Sequence, residues 1–427
     1  MHWIFALVLQ HWLLVNDVHF DPFSRAGVVY GADTTADLWR SATAAMRRDA
    51  PDTRVVLLGG DMLAHHFAHL ANAAHASAEG SSLAAVRTIA NGLQSAFPHA
   101  QFLVALGNND DPCGDYRSDA GGAYLAQLAK IWAPMVDRAG AAPDFAKQFA
   151  QGGYYTARLP IRDGRAIVLN SVFWSILYSG GCFSRPHNPG AAELAWLRAQ
   201  LEELPRNANA VLLMHMPPGF DPHATQIVHN DFAVPFLHES TNRAFLAAVA
   251  ARAGSLRFIV AAHTHRYNFR IADGVPVIVG ASISPVYRNN PAFFVLDVDA
   301  TNGELRNVHP YIYNPDTMQW TAAPSFDAMY GSQSLNAQNL LAVNAKIRSD
   351  AAVRARWSAA YNTWGVDDRM PAAWVPFACA QTELGSGFAA CAGTANRTRV
   401  LVLVAAGMLL CFIVGASLLL RRASRIR

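Results

Sequence analysis

Seven residues of metal-binding type stand at or just beyond the ends of short apolar runs: Asp17, His19, Asp61, Asn108, His215, His263 and His265. Trp12 to Val15 leads to Asp17 and His19, and Val55 to Leu58 leads through Gly59-Gly60 to Asp61. Phe102 to Leu106 leads to Asn108, Ala210 to Met214 to His215, and Phe258 to Ala262 to His263-Thr264-His265. Runs of this kind read as buried strands, and the carboxyl ends of such strands are where open α/β sheets bind ligands. The donors are nitrogen and oxygen without thiolate, which suits a pair of divalent ions rather than a structural zinc knot. Two ions about 3.5–4 Å apart need a bridging carboxylate. Asp61, held by a short strand and a glycine turn, is the expected bridge. Such a pair can lower the pKa of a bound water toward ~7 and neutralise phosphoryl oxygens during in-line displacement.

The elements that must position these residues alternate between strand and helix, so the fold class is α/β with a layered sheet core. Asp17 and His19 are two apart and are expected on one face of the first strand's end. Asp33 is placed to cap a helix running to about Arg48, with Leu38, Trp39, Ala42 and Met46 on its apolar face. Ala-rich helical stretches are expected between Leu63 and Ala96, followed by helical segments over 120–132 and 142–149. Asp163-Gly164 reads as a hairpin turn, Pro189 opens an amphipathic helix, and another helix is expected near 241–252. Short strands near 275–279 and 293–298 close the catalytic region by about residue 315. The stretch from Asp316 to Arg399 reads as mostly helical, a packing or lid domain with Trp320, Trp357, Trp364 and Trp374.

Composition narrows the function classes. Lys and Arg total 34 against 31 Asp and Glu, so the chain carries no nucleic-acid-binding signature. No phosphate-cradling glycine loop of the nucleotide-binding kinds is present. Val400 to Leu420 runs without a charge between Arg397/Arg399 and the basic tail 421–427, which predicts one membrane-spanning helix with a cytoplasmic C-terminus. The catalytic region is then expected outside the cytoplasm, with residues 1–10 a truncated export signal or the true start upstream. Cys411 falls within the apolar run. The other four cysteines are expected to pair as Cys113–Cys182 and Cys379–Cys391, four free buried thiols being the alternative.

Asp17-x-His19, Gly60-Asp61, Gly107-Asn108-Asn109-Asp110, His215 and His263-Thr264-His265 resemble, in order, the motifs of calcineurin-like metallophosphoesterases over about residues 11 to 315. His65 four residues after Asp61, Leu212 to Gly219 and Ser284 to Pro291 narrow the resemblance to acid sphingomyelinase-like phosphodiesterases. It implies a layered α/β/β/α sandwich with a small helical C-terminal domain (316–399) and two divalent ions, usually zinc. Asp17, His19, Asp61 and His265 would hold one ion; Asp61, Asn108, His215 and His263 the other. A hydroxide generated on the metals would attack phosphorus.

Where most of that family has a histidine after the ligand asparagine, this chain has Asn109. The Gly-Asn-Asn-Asp version also resembles endopolyphosphatases of the same superfamily. Asn109 can donate a hydrogen bond to phosphate but cannot transfer a proton near neutral pH. His65 matches the family's other active-site histidine, and the resemblance implies that the general-acid role falls to it. With the sequence starting at the first catalytic strand, a saposin-type domain is not expected, and soluble phosphodiesters, phosphoanhydrides or polyphosphate are expected to fit at least as well as bilayer sphingomyelin. A phosphodiester hydrolase is the leading expectation. The alternatives are a phosphoanhydride hydrolase and a membrane-tethered metal-binding protein with little turnover.

Overall fold

The computed structural model describes residues 8–25, 27–182, 189–228, 232–365 and 373–394. Among the described residues fourteen strands run in chain order as β1 (Leu9–Val15), β2 (Val55–Leu58), β3 (Gln101–Val104), β4 (Tyr155–Arg158), β5 (Gly164–Val168), β6 (Asn209–Leu213) and β7 (Phe220–Asp221). They continue as β8 (Val234–Pro235), β9 (Leu256–Ala261), β10 (Asn268–Ala272), β11 (Val275–Val279), β12 (Ala292–Asp299), β13 (Leu305–Asn314) and β14 (Gln319–Ala322). Two six-stranded sheets result, ordered β14-β13-β12-β1-β2-β3 and β10-β11-β9-β6-β5-β4. In the first, β1, β2 and β3 are parallel and β12 runs antiparallel to β1. In the second, β5, β6, β9 and β11 are parallel, flanked by antiparallel β4 and β10.

The two-residue period of a strand decides the layering. Val211, Leu213, Phe258 and Val260 join the core shared with β1 and β2, where the rings of Trp12 and Phe258 meet at 6.0 Å. Their neighbours Leu212, Met214, Ile259 and Ala261 face the other way, onto Leu197, Leu201, Phe245 and Val249 of helices Pro189–Glu203 and Glu239–Ala250. Sheets buried on both faces explain why the strands read as unbroken apolar runs. At the site end the sheets are tied by Asn16, whose Nδ2 donates to Ala261 O at 3.3 Å.

The mixed α/β expectation holds, with differences in detail. The helix expected from Asp33 is Ala36–Asp49, and its N-cap is Thr35, whose hydroxyl accepts from Leu38 N. Asp33 is thus free for another partner. The first sheet continues past residue 315 through β14. Helices Ala337–Ser349, Ala351–Tyr361 and Trp374–Thr382 dock on β10: Gln381 Nε2 donates to Asn268 Oδ1 at 2.7 Å, and Trp357 Nε1 donates to the same oxygen at 3.3 Å. Both expected disulfides are present, Cys113–Cys182 and Cys379–Cys391.

One part of the expected architecture is corrected. No helix among the described residues is long and apolar enough to cross a membrane, so the membrane helix expected over 400–420 is not part of the described fold. That stretch lies outside the described residues, as do residues 1–7 of the export signal expected over 1–10; Leu9 and Gln10 belong to β1.

Candidate metal centre

The parallel strands deliver all seven predicted ligands to one place. Asp17, His19, Asp61 and His265 bring their ligand atoms within 4.8 Å of one another, and Asp61, His215 and His263 form a second such group. Asp61 belongs to both, as a bridge requires. Asn108 joins the second group, its Oδ1 lying 3.0 Å from His215 Nε2.

Five of the seven sit in the left-handed region, with φ of 45° at Asp17, 44° at His19, 53° at Asp61, 71° at His263 and 56° at His265. Each such residue costs roughly 1–2 kcal/mol in a non-glycine. Convergence therefore comes from strained turns after the strands, not from the pleat of the strands themselves. The surrounding backbone holds these turns: Asp17 N donates to Gly60 O at 3.1 Å, His19 N to Asp61 O at 2.9 Å, and His263 N to Asp17 Oδ1 at 3.1 Å. Strain of this kind clusters at functional sites.

The nitrogen chemistry tests whether cations fit. His19 Nδ1 faces Leu63 O at 3.0 Å and His215 Nδ1 faces Gly59 O at 2.8 Å, so each carries its proton on Nδ1. Each Nε2 then offers a lone pair. His19 Nε2 lies 3.1 Å from His265 Nε2 and 3.3 Å from Asp61 Oδ2. His215 Nε2 faces Asn108 Oδ1, with Asp61 Oδ2 at 3.4 Å. Acceptors crowd acceptors, an arrangement stabilised only by a proton or a cation between them. Proton affinities say the same. Burial and His65 lower His19 to about 4, and burial and His215 lower His263 to about 3, both in the neutral form that metals require. Burial opposes a charge on His215, yet the neighbouring Asp61 raises its pKa to about 9, which marks a negative potential that draws positive charge to that nitrogen. The residues fit a pair of divalent ions.

The calcineurin-like phosphoesterase profile matches residues 12–267. The chain belongs to the calcineurin-like phosphoesterase family. It is similar to the sphingomyelinase phosphodiesterase D of Dictyostelium discoideum, 25% identical over 316 residues that cover 70% of this chain and 66% of that protein. It is also similar to the cyclic GMP-AMP phosphodiesterase SMPDL3A of Rattus norvegicus, 22% identical over 281 residues, 61% of this chain and 60% of that protein. The chain thus spans less than two thirds of these relatives' length, and they support the acid sphingomyelinase-like branch. Among solved structures, a purple acid phosphatase from yellow lupin seeds covers 79% of this chain and 55% of its own at 12% identity, with a TM-score of 0.42.

Three acidic residues whose roles were not legible in sequence complete this phosphoesterase centre. Asp110 ties the second and third strand ends together, accepting from Gly107 N (2.8 Å), Asp61 N (3.0 Å) and Met62 N (2.6 Å). Asp115 accepts from Asn108 Nδ2 at 2.5 Å and so turns Asn108 Oδ1 toward His215. Asp33 engages His65. The motif asparagine Asn109 is committed to the bridge: its backbone N donates to Asp61 Oδ1 at 2.8 Å and its Nδ2 to Asp61 Oδ2 at 3.0 Å. His65 lies at the rim, its ring stacked on His19 at 3.9 Å, with ligand atoms close enough to His19 and His265 to form a third potential ligand group. Beside His263 opens a cavity of about 340 Å³, walled by Tyr116, Phe236, Tyr287, Arg266 and Arg270, with Tyr361 from the C-terminal helices.

Proposed function

We propose that this chain hydrolyses the phosphodiester bonds of small molecules with two divalent ions, zinc being the native pair. The observation that carries the reading is the crowding of histidine and carboxamide acceptors around Asp61, which a dinuclear cation site resolves. Asp17, His19, Asp61 and His265 would hold one ion, and Asp61, Asn108, His215 and His263 the other. When bound, the ions supply the positive charge that neutralises the phosphoryl group and activates the attacking water. Asn109 steadies the bridging carboxylate through its two hydrogen bonds, and His65 at the rim serves the leaving oxygen as general acid. Residues 11–315 carry the chemistry in this reading, and 316–399 lend the cavity one wall. Two disulfides support a catalytic domain that works in an oxidising compartment outside the cytoplasm.

A specific observation favours a second substrate class. The cavity beside His263 contains two buried guanidinium groups, Arg266 and Arg270, the latter 5.2 Å over the Phe236 ring. These two groups share the cavity with the carboxylate of Asp221, and their N–H donors suit a leaving group that bears further phosphate, as in a phosphoanhydride. The test is a substrate panel on zinc-loaded full-length protein: bis-p-nitrophenyl phosphate, a choline phosphodiester and a nucleoside triphosphate. Asp61→Ala should lose metal and more than about 100-fold in rate, as removal of a bridging ligand demands. Unchanged turnover in that variant refutes the proposal.

A further inference from the structure

Asp33 meets Ser284 and Tyr287 of the loop Ser284 to Pro291 at His65, an arrangement the metal centre itself does not require. The helix that Asp33 precedes is capped by Thr35, so helix capping does not explain the aspartate. Its Oδ2 accepts from the backbone N of His65 at 2.7 Å, and its Oδ1 lies 2.9 Å from His65 Nδ1. Ser284 Oγ donates to the same Oδ1 at 3.2 Å, and its backbone N donates to Asp17 O at 3.1 Å. Tyr287 closes the other side, edge-on to His65 at 5.9 Å and to His265 at 4.7 Å.

His65 needs such support because no regular element holds it. It sits in the turn between β2 and the helix Phe67–Ala73, just before His66, which is left-handed at φ 55°. An ionised carboxylate only accepts hydrogen bonds, so Nδ1 keeps its proton in both forms of the ring, and the proton that His65 gains and gives is the one on Nε2. The ring's other nitrogen, Nε2, is then the atom left for the substrate. Contacts to both the backbone and the ring fix the side chain in rotation as well as tautomer.

We propose that Asp33, supported by Ser284, is a positioning residue that orients His65 Nε2 toward the leaving oxygen of the phosphodiester. This rests on the reading of His65 as the general acid. In the step it serves, the bond from phosphorus to the leaving oxygen breaks with its electron pair going to oxygen, which takes the Nε2 proton of the His65 imidazolium and leaves the neutral ring with its proton on Nδ1. Water supplies the oxygen that joins phosphorus, and the proton it releases restores the histidine through solvent.

Asp33→Asn in the full chain is nearly isosteric and tests this with two phosphodiesters. One carries a p-nitrophenolate leaving group, which departs without protonation, and the other an unactivated alkyl alcohol. Turnover of the alkyl ester should fall by roughly 100-fold, the lower range for loss of an oriented acid. Turnover of the nitrophenyl ester should stay within about threefold of wild type on the same principle, and bound metal should be unchanged. Ser284→Ala should show the same selectivity with a smaller loss. Nitrogen NMR of ¹⁵N-histidine-labelled, metal-depleted protein provides a readout independent of turnover: His65 should pass from a single Nδ1–H tautomer to a mixture in Asp33→Asn. Equal loss on both esters, no loss on either, release of a metal ion or an unchanged tautomer would each overturn the proposal. If wild type turns over neither ester, the general-acid reading fails, and the NMR result alone then decides whether Asp33 governs His65.

Discussion

Asp110→Asn is the substitution that most directly tests how the metal centre is built. The Asp110 carboxylate is 4% exposed and serves two sets of backbone donors. Oδ2 accepts from Gly107 and Asp61, while Oδ1 accepts from Met62 at 2.6 Å and Leu63 at 3.4 Å. An asparagine keeps the shape but offers one acceptor oxygen and one NH₂ group. Whichever way the amide turns, one pair of buried N–H groups faces another donor. At about 1–3 kcal/mol for each unsatisfied buried donor, the expected loss is about 4 kcal/mol. With an unfolding entropy of about 2.1 cal/mol/K per residue, a chain of this length has about 0.9 kcal/mol/K in total, so Tm should drop by about 4–5 °C. Burial and the neighbouring Asp61 raise the Asp110 pKa to about 7, so the measurement belongs above neutral pH, where the wild-type carboxylate is ionised. Calorimetry on metal-depleted protein is the assay, because bound ions would mask the difference by stabilising the native state. Zinc stoichiometry should fall in parallel, since the Asp61 and Asn108 turns lose their common anchor. An unchanged Tm with two metals still bound would refute the reasoning.

Two further outcomes follow from the same structure. Gly60→Ala should destabilise by about 3 kcal/mol or more and lower metal content, because φ is +96° and a Cβ would lie 2.5 Å from Gly107 N; wild-type melting and metal content would contradict this. Glu193 is fully buried, accepts from Asn170 N at 2.6 Å and is pushed well above its ordinary value of 4.5 by burial. The folded state therefore keeps a proton that the unfolded chain has lost, so Glu193 makes stability decline as pH rises above about 4.5, until the folded-state pKa is passed. Glu193→Gln should flatten that decline and raise Tm on the alkaline side. Parallel Tm–pH curves for the two proteins would show that the carboxyl is not held neutral.

Much of the centre was legible because its ligands follow runs whose period and burial are local properties. Val55–Leu58 and Ala210–Met214 are apolar throughout because both faces of their sheets are covered, and a polar ligand follows each where the strand ends, Asp61 after two glycines and His215 directly. Asp33 was not legible. A helix-capping position explained it from its neighbours alone, and its actual partner lies 32 positions away at His65. Asp110 stood within a readable motif, but its role as a clamp depends on the turn after β2 lying beside the turn after β3. Asn109 reads as a phosphate donor by residue type, whereas its two hydrogen bonds go to Asp61.

The sequence by itself determined which residue types stand at the strand ends and in what order, and with them the family and the seven candidate ligands. Residue type and local spacing suffice for that, since a strand's hydrophobic pattern and its terminus are set within a few positions. Only the tertiary structure decided how the ligands converge and which carboxylates hold them. Convergence depends on left-handed turns at Asp17, His19, Asp61, His263 and His265, conformations unfavourable in isolation and fixed by hydrogen bonds between segments far apart in the chain.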